Sequence, residues 1–377
     1  MYKMETYLGE NTKKLGFGLM RLPKKDGEID LEEMKKMVDL FMEAGFTYFD
    51  TAFVYSGSEE AMRKALIERY PRESFTVATK MAAWSGCKTR EDAINQFETS
   101  LERSGAGYFD YYLLHNLGVI RTKYFEDFDM WSFVKQKKEE GKIKHIGFSF
   151  HSSAEELEEI LIAHPEAEFV QLQINYADWF STDIQSKRVY DMARKYNKPV
   201  VIMEPVKGGL LAEPPEGVAK ILKDADPNAS YASWAIRFAA SHEGVITVLS
   251  GMSNVEQMKD NISYMKDFRK LNTEEQKVIT KAQAKIAEYP LIPCTDCKYC
   301  QKVCPMNIGI PATFSAMNML ILYNDLTRAQ GREKFHVSGM GKELAEKCIK
   351  CGQCESVCPQ HIEIRRHLEE AVTAIHP

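Results

Sequence analysis

Two cysteine runs constrain the fold of this chain more than any other feature. CTDCKYCQKVCP, residues 294–305, returns as CIKCGQCESVCP at residues 348–359. Both read C-x2-C-x2-C-x3-C-P, the spacing with which bacterial proteins hold cuboidal iron–sulfur clusters. Ligation of a cube needs thiolates that converge on a compact volume, and each C-x2-C-x2-C turn supplies three of them from one loop. Structural zinc also uses C-x2-C pairs. Four cysteines per run, repeated and each followed by proline, favour iron–sulfur instead.

Eight of the nine cysteines lie in these runs, and the ninth, Cys87, reads as an ordinary thiol. Such clustering points to metal rather than to disulfides and to a reducing compartment, most simply the cytosol of a bacterium or archaeon with little exposure to oxygen. The N-terminal MYKMETYLGENTKK has no apolar stretch, and no run approaches the ~18 consecutive apolar residues of a membrane helix. A cytoplasmic protein without membrane contact is expected. A net charge of −5, with lysines interspersed among acids, provides no concentrated basic face for nucleic acid.

The first 290 residues follow a different rhythm. Short β-branched and aromatic runs alternate with longer amphipathic ones, the signature of βα units on a parallel sheet. The strand candidates are Lys14–Met20, Thr47–Thr51, Phe75–Lys80, Tyr108–His115, His145–Phe150, Phe169–Asn175, Pro199–Glu204 and Val245–Ser250. Helix candidates between them have clear ends. DLEEMKKMVDLFMEAG closes on Gly45, and TREDAINQFETSLERSG runs from a capping pattern at Thr89 to Gly105. Eight strands in this span fit a (β/α)8 TIM barrel. A doubly wound open sheet is the alternative, but no glycine fingerprint follows the first strand. The expected organisation is a barrel over residues 1–290 and a small C-terminal ferredoxin-like iron–sulfur domain over residues 291–377. Within the latter, IPATFSAMNMLILYNDL reads as a core helix, with a partner surface as the lesser reading.

The segment YFDTAFVYSGSEEAMRKAL puts Asp50 at a strand end and Tyr55 in the loop beyond it, where barrels place their active sites. Lys80 ends the next strand and His115 the one after. Each residue alone has an ordinary structural explanation, and their joint placement is what points to chemistry. The motifs DTAxxY at Asp50–Tyr55, TK at Thr79 and Lys80, DYYLLH at Asp110–His115, GFS at Gly147–Ser149 and the strand QLQINYAD resemble those of the aldo-keto reductases over roughly residues 10–265. The resemblance implies a catalytic tetrad of Asp50, Tyr55, Lys80 and His115. A phenol with an ordinary pKa of about 10 needs a nearby cation to work as an acid or base near neutrality. Lys80 would supply that charge, Asp50 would balance it, and His115 would orient the substrate oxygen and could relay a proton.

The same resemblance assigns cofactor contacts. Ser149 and Gln171 match the residues that hold the nicotinamide carboxamide, and Met203 stands where many members have a stacking tyrosine. Lys207, Gly208 and Gly209 of EPVKGGLL represent a phosphate loop, in which the glycines permit close backbone approach. Ser250, Gly251, Gln257 and Asn261 belong to the adenosine-phosphate segment LSGMSNVEQMKDN. Gln257 occupies the place of an arginine that commonly grips the 2′-phosphate, and Gly251 that of a lysine. NADPH and NADH both remain open as cofactors.

In two-cluster ferredoxins the fourth cysteine of each run serves the other cluster. That precedent assigns Cys294, Cys297, Cys300 and Cys358 to one [4Fe-4S] cluster and Cys348, Cys351, Cys354 and Cys304 to a second. The leading expectation is an NAD(P)H-dependent oxidoreductase that interconverts a small-molecule carbonyl and alcohol, with clusters that transfer electrons or shape the substrate entrance. A ferredoxin or flavoprotein is the candidate electron partner. One alternative is a cluster-fed reductase that uses the tetrad for acid–base chemistry; the other is a redox-responsive binding or electron-carrier module.

Overall fold

The computed structural model describes residues 7–118, 121–182, 184–294, 298–358 and 360–376. All eight strand candidates form: β1 (Leu15–Gly18), β2 (Tyr48–Asp50), β3 (Thr76–Met81), β4 (Phe109–Leu117), β5 (Ile143–Phe150), β6 (Phe169–Gln173), β7 (Val200–Met203) and β8 (Val245–Ser250). Each pairs in parallel with its sequence neighbour, and β1 pairs both with β2, Phe17 opposite Phe49, and with β8, Leu15 opposite Val248. The sheet therefore closes into a barrel, which excludes the open doubly wound arrangement.

The period of two along each strand explains why an apolar plug and a polar rim share one inward face. Tyr48, Ala78, Tyr111, Leu113, Phe169, Val201 and Ile246 form the interior core. Two residues beyond Tyr48 and Ala78 come Asp50 and Lys80, and two beyond Leu113 comes His115. Gly147 on β5 makes room for this plug, because a Cβ there would lie 2.5 Å from the Phe169 ring.

Outside the barrel, Phe17, Phe41, Phe49 and their neighbours pack strands against helices. The helix Leu31–Glu43 is N-capped by Asp30, and Gly45 follows it with φ +80°. The helix Arg90–Ser104 begins with the expected capping box between Thr89 and Asp92 and is capped by Gly105 at φ +63°. Such an N-cap stabilises a helix by ~1 kcal/mol. The candidates did not include an antiparallel hairpin that pairs Lys24–Lys25 with Glu28–Ile29. Asp26 and Gly27 turn it with φ of +53° and +88°, the Asp-Gly signal of a two-residue hairpin loop.

The chain divides into two compact units, Met1–Ala212 with Asn228–Gln276, and Glu213–Pro227 with Lys277–Pro377. In the second, the helix Ile310–Tyr323 buries Ile310, Phe314 and Met317 and packs on Leu326–His336 and Ile364–Ile375. It serves as core there. The cysteine repeat extends further than its thiols: Lys298 and Gly352 are both left-handed, as are Asn307 and His361. Ile308 and Ile310 in the first copy match Ile362 and Ile364 in the second, and all four are buried. No helix among the described residues is long and apolar enough to cross a membrane.

Candidate active site and cysteine-lined cavities

The inward rim of β2 and β3 is built on a buried ion pair. Lys80 Nζ donates to Asp50 Oδ1 at 2.5 Å and to the Thr51 carbonyl at 2.7 Å. Lys80 is 1% exposed and Asp50 3%. Burial works against the ammonium, but the Asp50 carboxylate and the Tyr55 phenol outweigh it, so the Lys80 pKa stands above its ordinary value. The lysine is held charged where water cannot screen it.

Tyr55 reaches the same point from a tightly fastened loop. Phe53 N donates to the Lys80 carbonyl, Tyr55 N to that of Ala52, and Ser58 N to that of Tyr55. The Ser58 hydroxyl donates to the Leu19 carbonyl at 3.0 Å and lies 2.7 Å from that of Thr51. Lys80 Nζ stands 5.1 Å from the Tyr55 ring centroid. Desolvation raises the Tyr55 pKa, Lys80 opposes it, and the net shift is upward. The phenol is thus kept protonated, with a cation in place for the phenolate.

His115 faces Tyr55 edge-on, with ring centroids 5.8 Å apart. Its pKa is well below the usual histidine value, first through burial and then through the charges of Lys80, His151 and Arg121. The imidazole is neutral at physiological pH, and its buried Nδ1 has no hydrogen-bond partner among the described residues. Trp84 fixes the strand end from the β3 loop by donating its indole N–H to the His115 carbonyl at 2.7 Å. Gln96 anchors that loop in turn, bonding the backbone of Ala82 in both directions and donating to Cys87 Sγ at 3.2 Å. Burial pushes the Cys87 thiol up, so it stays protonated.

The cofactor candidates divide by what already engages them. Ser149 and Gln171 are cross-strand partners. The Ser149 hydroxyl oxygen accepts from Asn116 N at 2.7 Å, and Gln171 Nε2 donates to Met203 Sδ at 3.6 Å. Gln171 Oε1 is buried without a partner among the described residues. An orphan acceptor beside a hydroxyl is complementary to a primary amide, which presents N–H donors and a carbonyl acceptor. Beyond Met203, Lys207 forms an ion pair with Asp178. Gly208 and Gly209 adopt φ of +66° and +97°, a backbone that favours glycine. Asn261 donates to Ser250 Oγ at 2.6 Å, while Gln257 Oε1 accepts from Ser253 N at 2.7 Å.

Sequence reasoning passed over Arg21. It extends from the turn after β1 along both glycine loops: a Cβ on Gly208 would lie 3.3 Å from its Nη2, and one on Gly251 3.6 Å from its Cδ. Its guanidinium forms no ion pair within the described residues. Trp84 and Arg121 were also missed. All three lie in turns or loops, where no periodicity marks them.

In the second unit, Cys304, Cys348, Cys351 and Cys354 line one cavity together with Ile308, Ile310 and Leu368. Cys294, Cys300 and Cys358 line another with Phe314 and Ile362. Cys297, expected with Cys294, Cys300 and Cys358, lies outside the described residues. Each cavity thus combines cysteines of one run with the last cysteine of the other. The thiols stand around a volume: among the described residues, no three His, Cys, Asp or Glu side chains form a site for a single metal ion. A thiol-ringed cavity with apolar walls suits a cuboidal cluster.

The family model for the aldo/keto reductase family matches residues 14–284, and that for a 4Fe-4S dicluster domain matches residues 293–363. An aldo-keto reductase of Mycobacterium sp. (strain MCS) is 35% identical over 155 residues, covering 41% of this chain and 50% of that protein. The 9,11-endoperoxide prostaglandin H2 reductase of Trypanosoma cruzi is 32% identical over 136 residues, covering 36% and 44%. The chain spans about half the length of these curated relatives. Among solved structures, the holo form of an aldo-keto reductase from Bacillus halodurans superimposes with a TM-score of 0.58 at 24% identity, covering 71% of this chain and 91% of that one. One from Klebsiella pneumoniae in complex with NADPH gives 0.59 at 20% identity, covering 74% and 95%. These likenesses support the fold.

Proposed function

This chain belongs to the aldo/keto reductase family and carries a 4Fe-4S dicluster domain, and from that premise we propose that it interconverts a carbonyl and an alcohol with NADPH or NADH. The observation that carries the reading is the convergence of Asp50, Lys80, Tyr55 and His115 on the inward rim of three consecutive strands. The nicotinamide, when bound, supplies the hydride. Tyr55 donates its phenolic proton to the carbonyl oxygen, and Lys80 stabilises the phenolate left behind. Asp50 holds that ammonium in place. His115, being neutral, orients the substrate oxygen as a hydrogen-bond donor rather than by charge.

Ser149 and Gln171 would hold the carboxamide, with the orphan Gln171 Oε1 accepting its N–H. Met203 lines the nicotinamide site beside them. Gly208 and Gly209 let a pyrophosphate approach the backbone. Lys207 is already paired with Asp178, whereas Arg21, beside both loops, has no ion pair among the described residues. Ser250, Gly251, Gln257 and Asn261 complete the adenosine side.

The domain assignment extends the reading: a barrel over residues 1–290 and two [4Fe-4S] clusters within residues 291–377. The clusters, when bound, carry electrons one at a time. Cys304 joins Cys348, Cys351 and Cys354, and Cys358 joins Cys294, Cys297 and Cys300. A second reading, in which cluster electrons reach the substrate and the tetrad serves only as acid–base machinery, draws support from Met203, whose sulfur is engaged by Gln171.

Anaerobic titration of cluster-loaded protein with NADH and NADPH, followed by absorbance and electron spin resonance, tests both readings alongside carbonyl turnover. The expected result is nicotinamide-dependent reduction that falls ~10²-fold or more in Y55F. Unchanged turnover in that variant sinks the tetrad mechanism. Turnover driven by a low-potential reductant without nicotinamide would establish the second reading.

A further inference from the structure

We propose that Arg121 binds a carboxylate on the substrate, so that this enzyme's preferred carbonyl compounds are oxo acids. The inference rests on the carbonyl-reducing reading of the rim and adds the substrate's charge to it.

Arg121 follows β4, in a turn that is held in place on both sides. Its N donates to the Gly118 carbonyl at 3.0 Å, and Gly118 N donates to Thr122 Oγ1 at 3.0 Å. Gly118 adopts φ +119°, and a Cβ there would lie 2.6 Å from Ser152 Cβ. Only glycine therefore allows this turn to lie against the loop that follows β5.

From this turn the guanidinium crosses the Trp84 ring, 4.4 Å from its centroid. Trp84 in turn lies 5.9 Å from the His115 ring, which lies 5.8 Å from that of Tyr55. A continuous aromatic series thus leads from the tetrad to a cation. Arg121 is half-buried, and no carboxylate of the described residues pairs with it. Its pKa is lowered by desolvation alone, with no acid acting on it, whereas its own charge is felt at His115.

A guanidinium partly removed from water and lacking an anion is costly, and a tryptophan face offsets only part of that cost. A carboxylate would complete the site through paired N–H···O bonds. The carbonyl carbon then takes the hydride and its oxygen the Tyr55 proton, with the nicotinamide as reductant. The carboxylate is unchanged and serves as the handle that directs the carbonyl to Tyr55 and His115.

The test compares oxo acids of increasing chain length, each with its neutral methyl ester, as substrates of the wild type, R121Q, R121K and K123Q. The wild type is expected to favour the acid in kcat/KM by about 10-fold to 100-fold at the best length. That ratio should collapse towards one in R121Q, recover in part in R121K and stay at the wild-type value in K123Q, which removes an exposed neighbouring charge. Absence of an acid preference at every length, or its retention in R121Q, overturns the proposal. A second measurement does not depend on turnover: titration with non-reducible succinate and glutarate, read by calorimetry. Binding that weakens about 10-fold or more in R121Q supports the site, and binding equal in both proteins overturns it. Arg121-dependent binding without any carbonyl turnover would instead leave the anion site standing and remove the carbonyl-reducing reading.

Discussion

The Lys80 ammonium lies 2.5 Å from Asp50 Oδ1 with both side chains closed off from solvent. Removing one partner of such a pair strands a buried charge, whereas replacing both does not. D50N is therefore expected to lower the unfolding free energy by about 3–5 kcal/mol in denaturant titrations. The double variant D50L/K80M should recover most of that loss yet stay inactive, because Tyr55 then lacks its cation. Recovery of activity along with stability would show that the pair serves packing alone.

His242 makes stability depend on acid. Its ring stacks on Trp179 at 4.4 Å, its Nε2 is buried without a partner among the described residues, and burial lowers its pKa to about 4. Unfolded chains bind this proton near 6.5, so between 6.5 and about 4 the unfolded state holds more protons than the folded one. Stability is intact above that window and falls as pH drops through it. The contribution, discounted for partial exposure, is about 2–3 kcal/mol. H242F, which keeps a ring in the stack, should flatten this part of the stability–pH curve measured by thermal unfolding.

The two cysteine cavities predict which single substitutions behave alike. C304A should affect the same cluster as C348A, and C358A the same one as C294A, despite the distance in sequence. Each variant, purified anaerobically, should lose about half its iron. The C304A and C348A spectra should match each other and differ from those of C358A. Pairing by run instead, C304A with C294A, would refute the exchange of ligands.

Arg21 is expected to set the affinity for the dinucleotide. R21Q should raise the KM for NADPH or NADH by about 10-fold while changing kcat little, since its contact would be alike in ground and transition states. A fall in kcat with unchanged KM would remove Arg21 from phosphate binding.

The barrel was legible because eight β-branched runs with capped helices between them leave few alternatives, and the inward period of two carried Asp50, Lys80 and His115 to one rim. Trp84, Arg121 and Arg21 escaped notice because a loop residue's neighbours depend on tertiary approach, here made by Gly118 and the glycine loops. Lys207 shows the converse: its charge was evident in the sequence, but its partner Asp178 was not. The hairpin at Asp26–Gly27 and the Ile-x-Ile repeat after each Cys-Pro were readable signals that the stronger cysteine pattern overshadowed.

Ile310 lines both cysteine cavities. With this shared wall residue, two cubes would form a joint reservoir for a pair of electrons, the number that a hydride carries. Across an apolar wall, the second electron would enter against the repulsion of the first. Two sites built from repeated sequence would then fill at different potentials, in steps that a redox titration would resolve.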